Sequence, residues 1–170
     1  MDLIMETKKI EYTITFLSDW HAGSGLSSGA EADAVVIKDS NNLPYLPGKT
    51  IKGLVKDALL DLGNNSEVID GKIFFSNAIL EKQTALEVTE EMSHHLYRKM
   101  AYTTIDENGI AKSGSLRTME VCIPIELQAY IDGIQENDIN QIEKAFKYIR
   151  HIGVNRNRGL GRCQFKIKSK

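Results

Sequence analysis

Ile51, Leu54, Val55, Ala58, Leu59 and Leu62 recur at i, i+3, i+4, i+7, i+8 and i+11. That spacing places all six on one side of an α-helix and is incompatible with a strand. A rigid segment, Leu43-Pro44-Tyr45-Leu46-Pro47-Gly48, precedes the helix, and Gly63-Asn64 supplies a stop signal after it. Upstream the period changes to two. Ile10, Tyr12, Ile14 and Phe16 alternate with Glu11, Thr13 and Thr15, which reads as a half-buried strand.

The two periods alternate along the rest of the chain. Gly71 to Leu80, with Ile73, Phe74 and Phe75 at its centre, predicts a second strand. Leu116 to Ile131 predicts one long strand or two, with Pro124 marking an edge or a bulge. A helix capped by Asn137-Asp138 would align Ile139, Ile142, Phe146 and Ile149 and end at Gly153. Arg162 to Lys168 alternates again through Cys163, Phe165 and Ile167. The order strand, helix, strand, strand, helix, strand predicts an α+β, ferredoxin-like β-α-β-β-α-β domain spanning residues 1–170. Its insertion covers residues 81–115, where periodicity is weak and Asp106-Glu107-Asn108-Gly109 forms a hairpin-type turn.

At 170 residues and 42% apolar composition, one domain with a real core is expected. The acidic start, Met1 to Glu6, has no long apolar run and reads as no signal peptide. No segment has the roughly 20 apolar residues needed to span a bilayer, so no membrane partner is expected. Cys122 and Cys163 each lie in an apolar, strand-like context and read as buried free thiols of a cytoplasmic protein.

Charge is distributed very unevenly. Residues 144–170 hold nine Lys or Arg and no Asp or Glu, while the rest of the chain holds 12 basic and 23 acidic residues. A net charge of −2 thus hides a basic tail, the electrostatic footprint of a polyanion site. Within it, Gly153-Val154-Asn155-Arg156-Asn157-Arg158-Gly159-Leu160-Gly161-Arg162 spaces three guanidiniums along a glycine loop. Arginine grips phosphate bidentately and stacks on bases, so RNA is the expected ligand of Arg156, Arg158, Gly159, Gly161 and Arg162.

Other motifs carry less. Gly48-Lys49-Thr50 lacks the phosphate-cradling glycine five positions earlier, where Leu43 stands, so a nucleotide-hydrolysing P-loop is excluded. Lys49, Thr50, Lys52 and Lys56 still surround a helix N-terminus, which suits either phosphate or plain solvent. His21, His94, His95 and His151 lack metal-ligand spacing. His21 suits either a general acid or base or a hydrogen-bonded structural role. Asp33 is a lone carboxylate between a flexible loop and a short strand.

Together, His21-Ala22-Gly23-Ser24-Gly25, Asp33 to Asp39, and Leu43-Pro44-Tyr45-Leu46-Pro47-Gly48-Lys49-Thr50-Ile51-Lys52-Gly53 resemble the N-terminal signature of RAMP proteins, the repeat-associated subunits of CRISPR effector complexes. Arg156-Asn157-Arg158-Gly159-Leu160-Gly161-Arg162 resembles their C-terminal glycine-rich loop. Ile73 to Ala78 and Gly114 to Glu120 fall in the expected order, so the resemblance spans nearly the whole chain. Within the superfamily the chain looks most like the backbone subunit of type III complexes.

That likeness implies an RRM-like core, stacking as a filament on guide RNA (crRNA), partnership with target RNA and other effector subunits, and a role in antiviral defence. It implies a hairpin thumb at residues 97–115 that displaces a base. It also implies that Asp33 binds a divalent cation such as Mg²⁺ and supports cleavage of target RNA, in which the 2′-OH attacks the adjacent phosphate. The alternatives are a non-catalytic RNA-binding scaffold and a metal-independent guide-processing endoribonuclease using His21.

Overall fold

The computed structural model describes residues 7–23, 34–71 and 73–168. Strands β1 (Thr7–Phe16), β2 (Phe74–Phe75), β5 (Glu126–Gln135) and β6 (Cys163–Ile167) form one antiparallel sheet in the order β2-β5-β1-β6. Helices α1 (Gly48–Asp61) and α4 (Ile139–Tyr148) cover one face of it. Two short helices, α2 (Lys82–Glu87) and α3 (Glu90–Ser93), lead into a separate two-stranded antiparallel sheet of β3 (Tyr97–Tyr102) and β4 (Arg117–Cys122). The architecture is mixed α and β with antiparallel sheets.

The alternation read in β1 decides which face is buried. Ile10, Tyr12, Ile14 and Phe16 point under the helices, opposite Leu127, Ala129 and Ile131 of β5. Ile51, Val55 and Leu59 of α1 and Ile142 and Phe146 of α4 close this core. Phe146 lies 4.7 Å from both the Tyr12 and Phe165 rings, within the range of favourable aromatic pairing. Cys122 and Cys163 are buried and unbridged, and burial pushes the Cys163 thiol up to about 12. Both thiols are therefore held in their inert protonated form.

The C-terminus of α1 follows the expected stop. Asn64 donates to the Leu59 carbonyl and Gly63, at φ +71°, donates to that of Leu60, the paired bonds of a Schellman end. The second helix differs at both ends. Asp138 makes no side-chain cap, because a 3-10 turn at Glu136–Asp138 precedes α4. The helix ends at Tyr148 rather than near Gly153, because residues 150–152 peel away to pair with the start of β6.

The expected strand from Gly71 to Leu80 is also shorter. Its ladder with β5 runs through Phe74↔Asp132 and Phe75↔Ile131 and resumes only at Ile79↔Gln128. One extra residue on this side makes a bulge. Ser76 fills the gap by accepting the Tyr130 amide on its hydroxyl, and Asn77 turns away to accept the Gly48 amide at 2.9 Å. The expected run from Leu116 to Ile131 becomes two strands in different sheets, separated at Ile123-Pro124-Ile125.

Gly48 and Gly53 belong to the same helix but face opposite constraints. A Cβ on Gly48 would stand 2.0 Å from the Phe75 carbonyl oxygen, whereas one on Gly53 meets nothing within 4 Å. Gly48→Ala is therefore expected to lower stability by about 1–3 kcal/mol or more through overpacking. Gly53→Ala should raise it by roughly 0.5–1 kcal/mol through helix propensity. Urea unfolding of the two variants measures both; equal effects would contradict this packing.

Candidate nucleic-acid interface

The arginine loop is pinned by backbone contacts to the segment that follows β1. Gly161 donates to the Asp19 carbonyl at 2.7 Å, Ile152 donates to the Gly161 carbonyl, and Val154 donates to the His21 carbonyl. Arg162 donates its amide to the Ser18 hydroxyl at 3.0 Å. These approaches are close enough to exclude side chains. At Gly153 (φ +91°) a Cβ would lie 2.1 Å from the His21 oxygen, and at Gly161 (φ +72°) 1.8 Å from the Ile152 oxygen. Two of the loop's glycines thus serve its own closure. Gly161 is buried, while Gly159 is exposed, at φ +86°, with open space around it.

Between those pins, a 3-10 turn at Arg156–Arg158 is bracketed by Asn155 and Gly159, both in the left-handed region. The turn projects Arg156 and Arg158 into solvent, and Arg162 is exposed beside it. Arg158 lies 6.0 Å from the Tyr102 ring centroid, at the outer limit of a cation–π contact. Leu160 points the other way and is buried with Met119 and Val121, against Met100 and Tyr102.

That small cluster ties the loop to the β3–β4 hairpin. Register places Arg98, Met100, Tyr102, Arg117, Met119 and Val121 on the hairpin face that receives Leu160. Two further guanidiniums, Arg98 and Arg117, therefore share this side with Arg158. Arg98 is anchored to the Asp19 carboxylate. Sequence reasoning missed both. The signal was the alternation Arg98, Met100, Tyr102, which becomes legible only once β3 is paired with β4.

His21 sits beneath the loop at 2% exposure, its Nδ1 2.6 Å from the Glu120 carbonyl oxygen. Its main chain carries Val154, and its neighbour Trp20 pairs with Cys122. Glu120 also organises the preceding segment. Its carboxylate accepts the Val36 amide at 3.0 Å and pairs with Lys38 at 2.9 Å, and its own amide donates to the Ala34 carbonyl. Asp33 lies outside the described residues. Among the described residues no group of three or more His, Cys, Asp or Glu is placed to hold a metal ion.

The α1 residues form a second, separate group. Lys49 and Thr50 are exposed, but Lys52 donates to the Ile73 carbonyl and Lys56 pairs with Asp70. Lys52 flanks the buried stripe of Ile51, Val55, Ala58 and Leu59 on one side, with Lys56 and Lys49 further round the helix, and Leu62 is exposed. On the other flank, Leu54, Asp57 and Asp61 line a cleft of about 480 Å³ with Arg150, His151 and Arg156. Helical rotation of about 100° per residue puts Lys49, Lys52 and Lys56 on the far side of α1 from that cleft. Arg158 is brought to the hairpin beside Tyr102, and Arg156 to the cleft beside α1; Lys49, Lys52 and Lys56 belong to neither group.

No helix among the described residues is long and apolar enough to cross a membrane. No curated protein sequence matches this chain. In fold, it is similar to a chain in the cryo-EM structure of the type III-B Cmr-beta bound to cognate target RNA, with a TM-score of 0.75 at 12% identity over 96% of this chain and 98% of that one. A chain in the cryo-EM structure of the apo state of type III-B Cmr-beta gives a TM-score of 0.69 at 12% identity, covering 95% and 98%. The family model of the RAMP superfamily matches residues 13–164, and the chain belongs to that superfamily.

Proposed function

We propose that this protein is a crRNA-binding subunit of a type III CRISPR effector complex and that guide RNA lies across the arginine loop and the adjoining hairpin. The observation that carries this reading is the pinned loop itself. Exposed Arg156 and Arg158 stand on a turn, with Arg162 beside it, in a loop held by backbone bonds and joined through Leu160 to a hairpin that carries Arg98 and Arg117. Preorganised arginines bind phosphate with little ordering cost, which suits a guide gripped along its backbone without regard to sequence.

The four-stranded sheet with α1 and α4 on one face supports reading the domain as ferredoxin-like, with β3–β4 as an insertion. The hairpin tip, where Asp106 accepts the Asn108 and Ile110 amides, serves in this reading as the thumb. Lys49 and Thr50 offer a further phosphate contact, and neighbouring copies stack along the guide. The fold likeness to chains of Cmr-beta supports placing it among other effector subunits.

Target cleavage is the finer part of the proposal. Asp33 supplies a carboxylate to a divalent cation such as Mg²⁺, which when bound would stabilise charge developing at phosphate. Ala34, its neighbour in sequence, is held by Glu120, so β4 fixes the segment that follows Asp33. Metal-independent guide processing by His21 is the weaker alternative, since its ring is enclosed between the loop and β4.

The arginine arm of the test uses Arg156→Ala with Arg158→Ala. Affinity for single-stranded crRNA-like RNA should fall at every sequence, and the salt dependence should flatten by roughly 0.7 log unit per lost contact. Unchanged affinity and slope would refute the interface.

The catalytic arm uses Asp33→Ala in the guide-loaded complex. Cleavage of a labelled complementary RNA should drop to the level seen with EDTA, while guide and target binding persist. Full cleavage in this variant would leave the protein a scaffold; equal loss of binding and cleavage would give Asp33 a binding role instead.

A further inference from the structure

The face of the four-stranded sheet turned away from α1 and α4 carries an aromatic and basic patch that the arginine loop does not reach. Phe74 is 55% exposed on β2, and its ring centroid lies 5.9 Å from that of Tyr130 on β5, tilted by 48°. Lys9 holds its ammonium 3.9 Å from the Tyr130 ring centroid. Beside them opens a hollow of about 480 Å³ lined by Ser76, Ile79, Lys82, Tyr130 and Lys168, with Glu11 as its carboxylate. The β2 bulge that sends Asn77 to cap α1 also brings Ile79 back to this face opposite Gln128, where it is 52% exposed.

We propose that this patch is a second nucleic-acid contact, a stacking platform for one or two bases of single-stranded RNA. An exposed phenyl ring beside a half-buried tyrosine on an open sheet offers flat apolar area that a base covers well. Lys9, Lys82 and Lys168 outnumber Glu11 around the hollow and suit the phosphates flanking a stacked base. Asp132, paired in register with Phe74, marks the side from which phosphate is repelled. That charge arrangement favours a polyanion over an apolar protein partner, which would leave three ammonium groups to desolvate.

The platform is distinct from the arginine interface. Arg162 and Cys163 lie beside Phe16 at one end of β1, and Lys9 lies near the other. The extended strand between Lys9 and Phe16 spans about 24 Å. RNA that engages both patches would therefore run several nucleotides along the sheet.

The inference rests on the reading that the protein binds RNA, and the test separates the two. Binding of a fluorescein-labelled single-stranded oligouridine is followed by anisotropy for the wild type, Phe74→Ala, Phe74→Trp and the Arg156→Ala/Arg158→Ala variant, across a salt series. Phe74 is exposed, so its variants should retain the native circular dichroism. Phe74→Ala is expected to weaken binding about fivefold or more, the low end of base–aromatic stacking. Its salt slope should be unchanged, because no counterion-releasing contact is lost. Phe74→Trp should bind at least as well as wild type.

A 4-thiouridine RNA should photocrosslink to Phe74 or Tyr130. Wild-type affinity in Phe74→Ala, with the arginine variant still weakened, would overturn the platform alone. No binding by the wild type would overturn both readings. Loss of self-association in Phe74→Ala with RNA binding intact would assign the patch to a second copy of the chain and overturn the platform.

Discussion

The Gly161 amide reaches the Asp19 carbonyl at 2.7 Å, and the same residue packs its α-carbon where a side chain would strike the Ile152 oxygen. Much of the candidate interface depends on that one close approach. It holds the C-terminal end of the arginine loop against the chain leaving β1, as Gly153 against His21 holds the other end. With both ends fixed, the turn between them has few conformations left. Its arginines are held outward without a ligand, and the entropy of ordering the loop is spent in folding rather than in binding.

Leu160 extends the same constraint to the hairpin. Its burial with Met119, Val121, Met100 and Tyr102 means that β3–β4 and the arginine turn share one small core. Trp20 and His21 add a second connection, since the residues that hold the loop also pair with Cys122 and contact Glu120. Displacement of the hairpin would be felt at Arg158 through Tyr102 and at the 34–38 segment through Glu120. These links run through packed side chains and backbone bonds, the kind of contiguous contact that carries coupling. RNA pulling on the hairpin would thus load the segment next to Asp33.

The main helices and strands could be read from periodicity because each buries one regular face. Ile10 to Phe16 and Ile51 to Leu59 repeat at the spacing of the element they form. Strand β2 is shorter than the sequence suggests because the bulge at Ser76-Asn77 interrupts its ladder, Ser76 taking the Tyr130 amide on its hydroxyl and Asn77 turning to Gly48. The arginine loop is visible in the sequence as charge, but the sequence does not show that Gly153 and Gly161 admit the main chain of His21 and Ile152. The approaches of Gly153 to His21 and of Gly161 to Asp19 join residues more than a hundred positions apart, and none of these contacts leaves a local periodicity. For the same reason only strand pairing reveals that Arg98 and Arg117 share a hairpin face with Tyr102, and only the sheet's open face reveals Phe74.

Hydrogen exchange in the RNA-free protein tests most directly whether the interface is built before the ligand arrives. The amides of Ile152, Gly161 and Cys163, all bonded to backbone carbonyls, are expected to exchange as slowly as those of β1. Added single-stranded RNA should increase protection only around 156–159. Exchange across residues 150–163 at the rate of an unfolded peptide, slowed only when RNA is added, would contradict it.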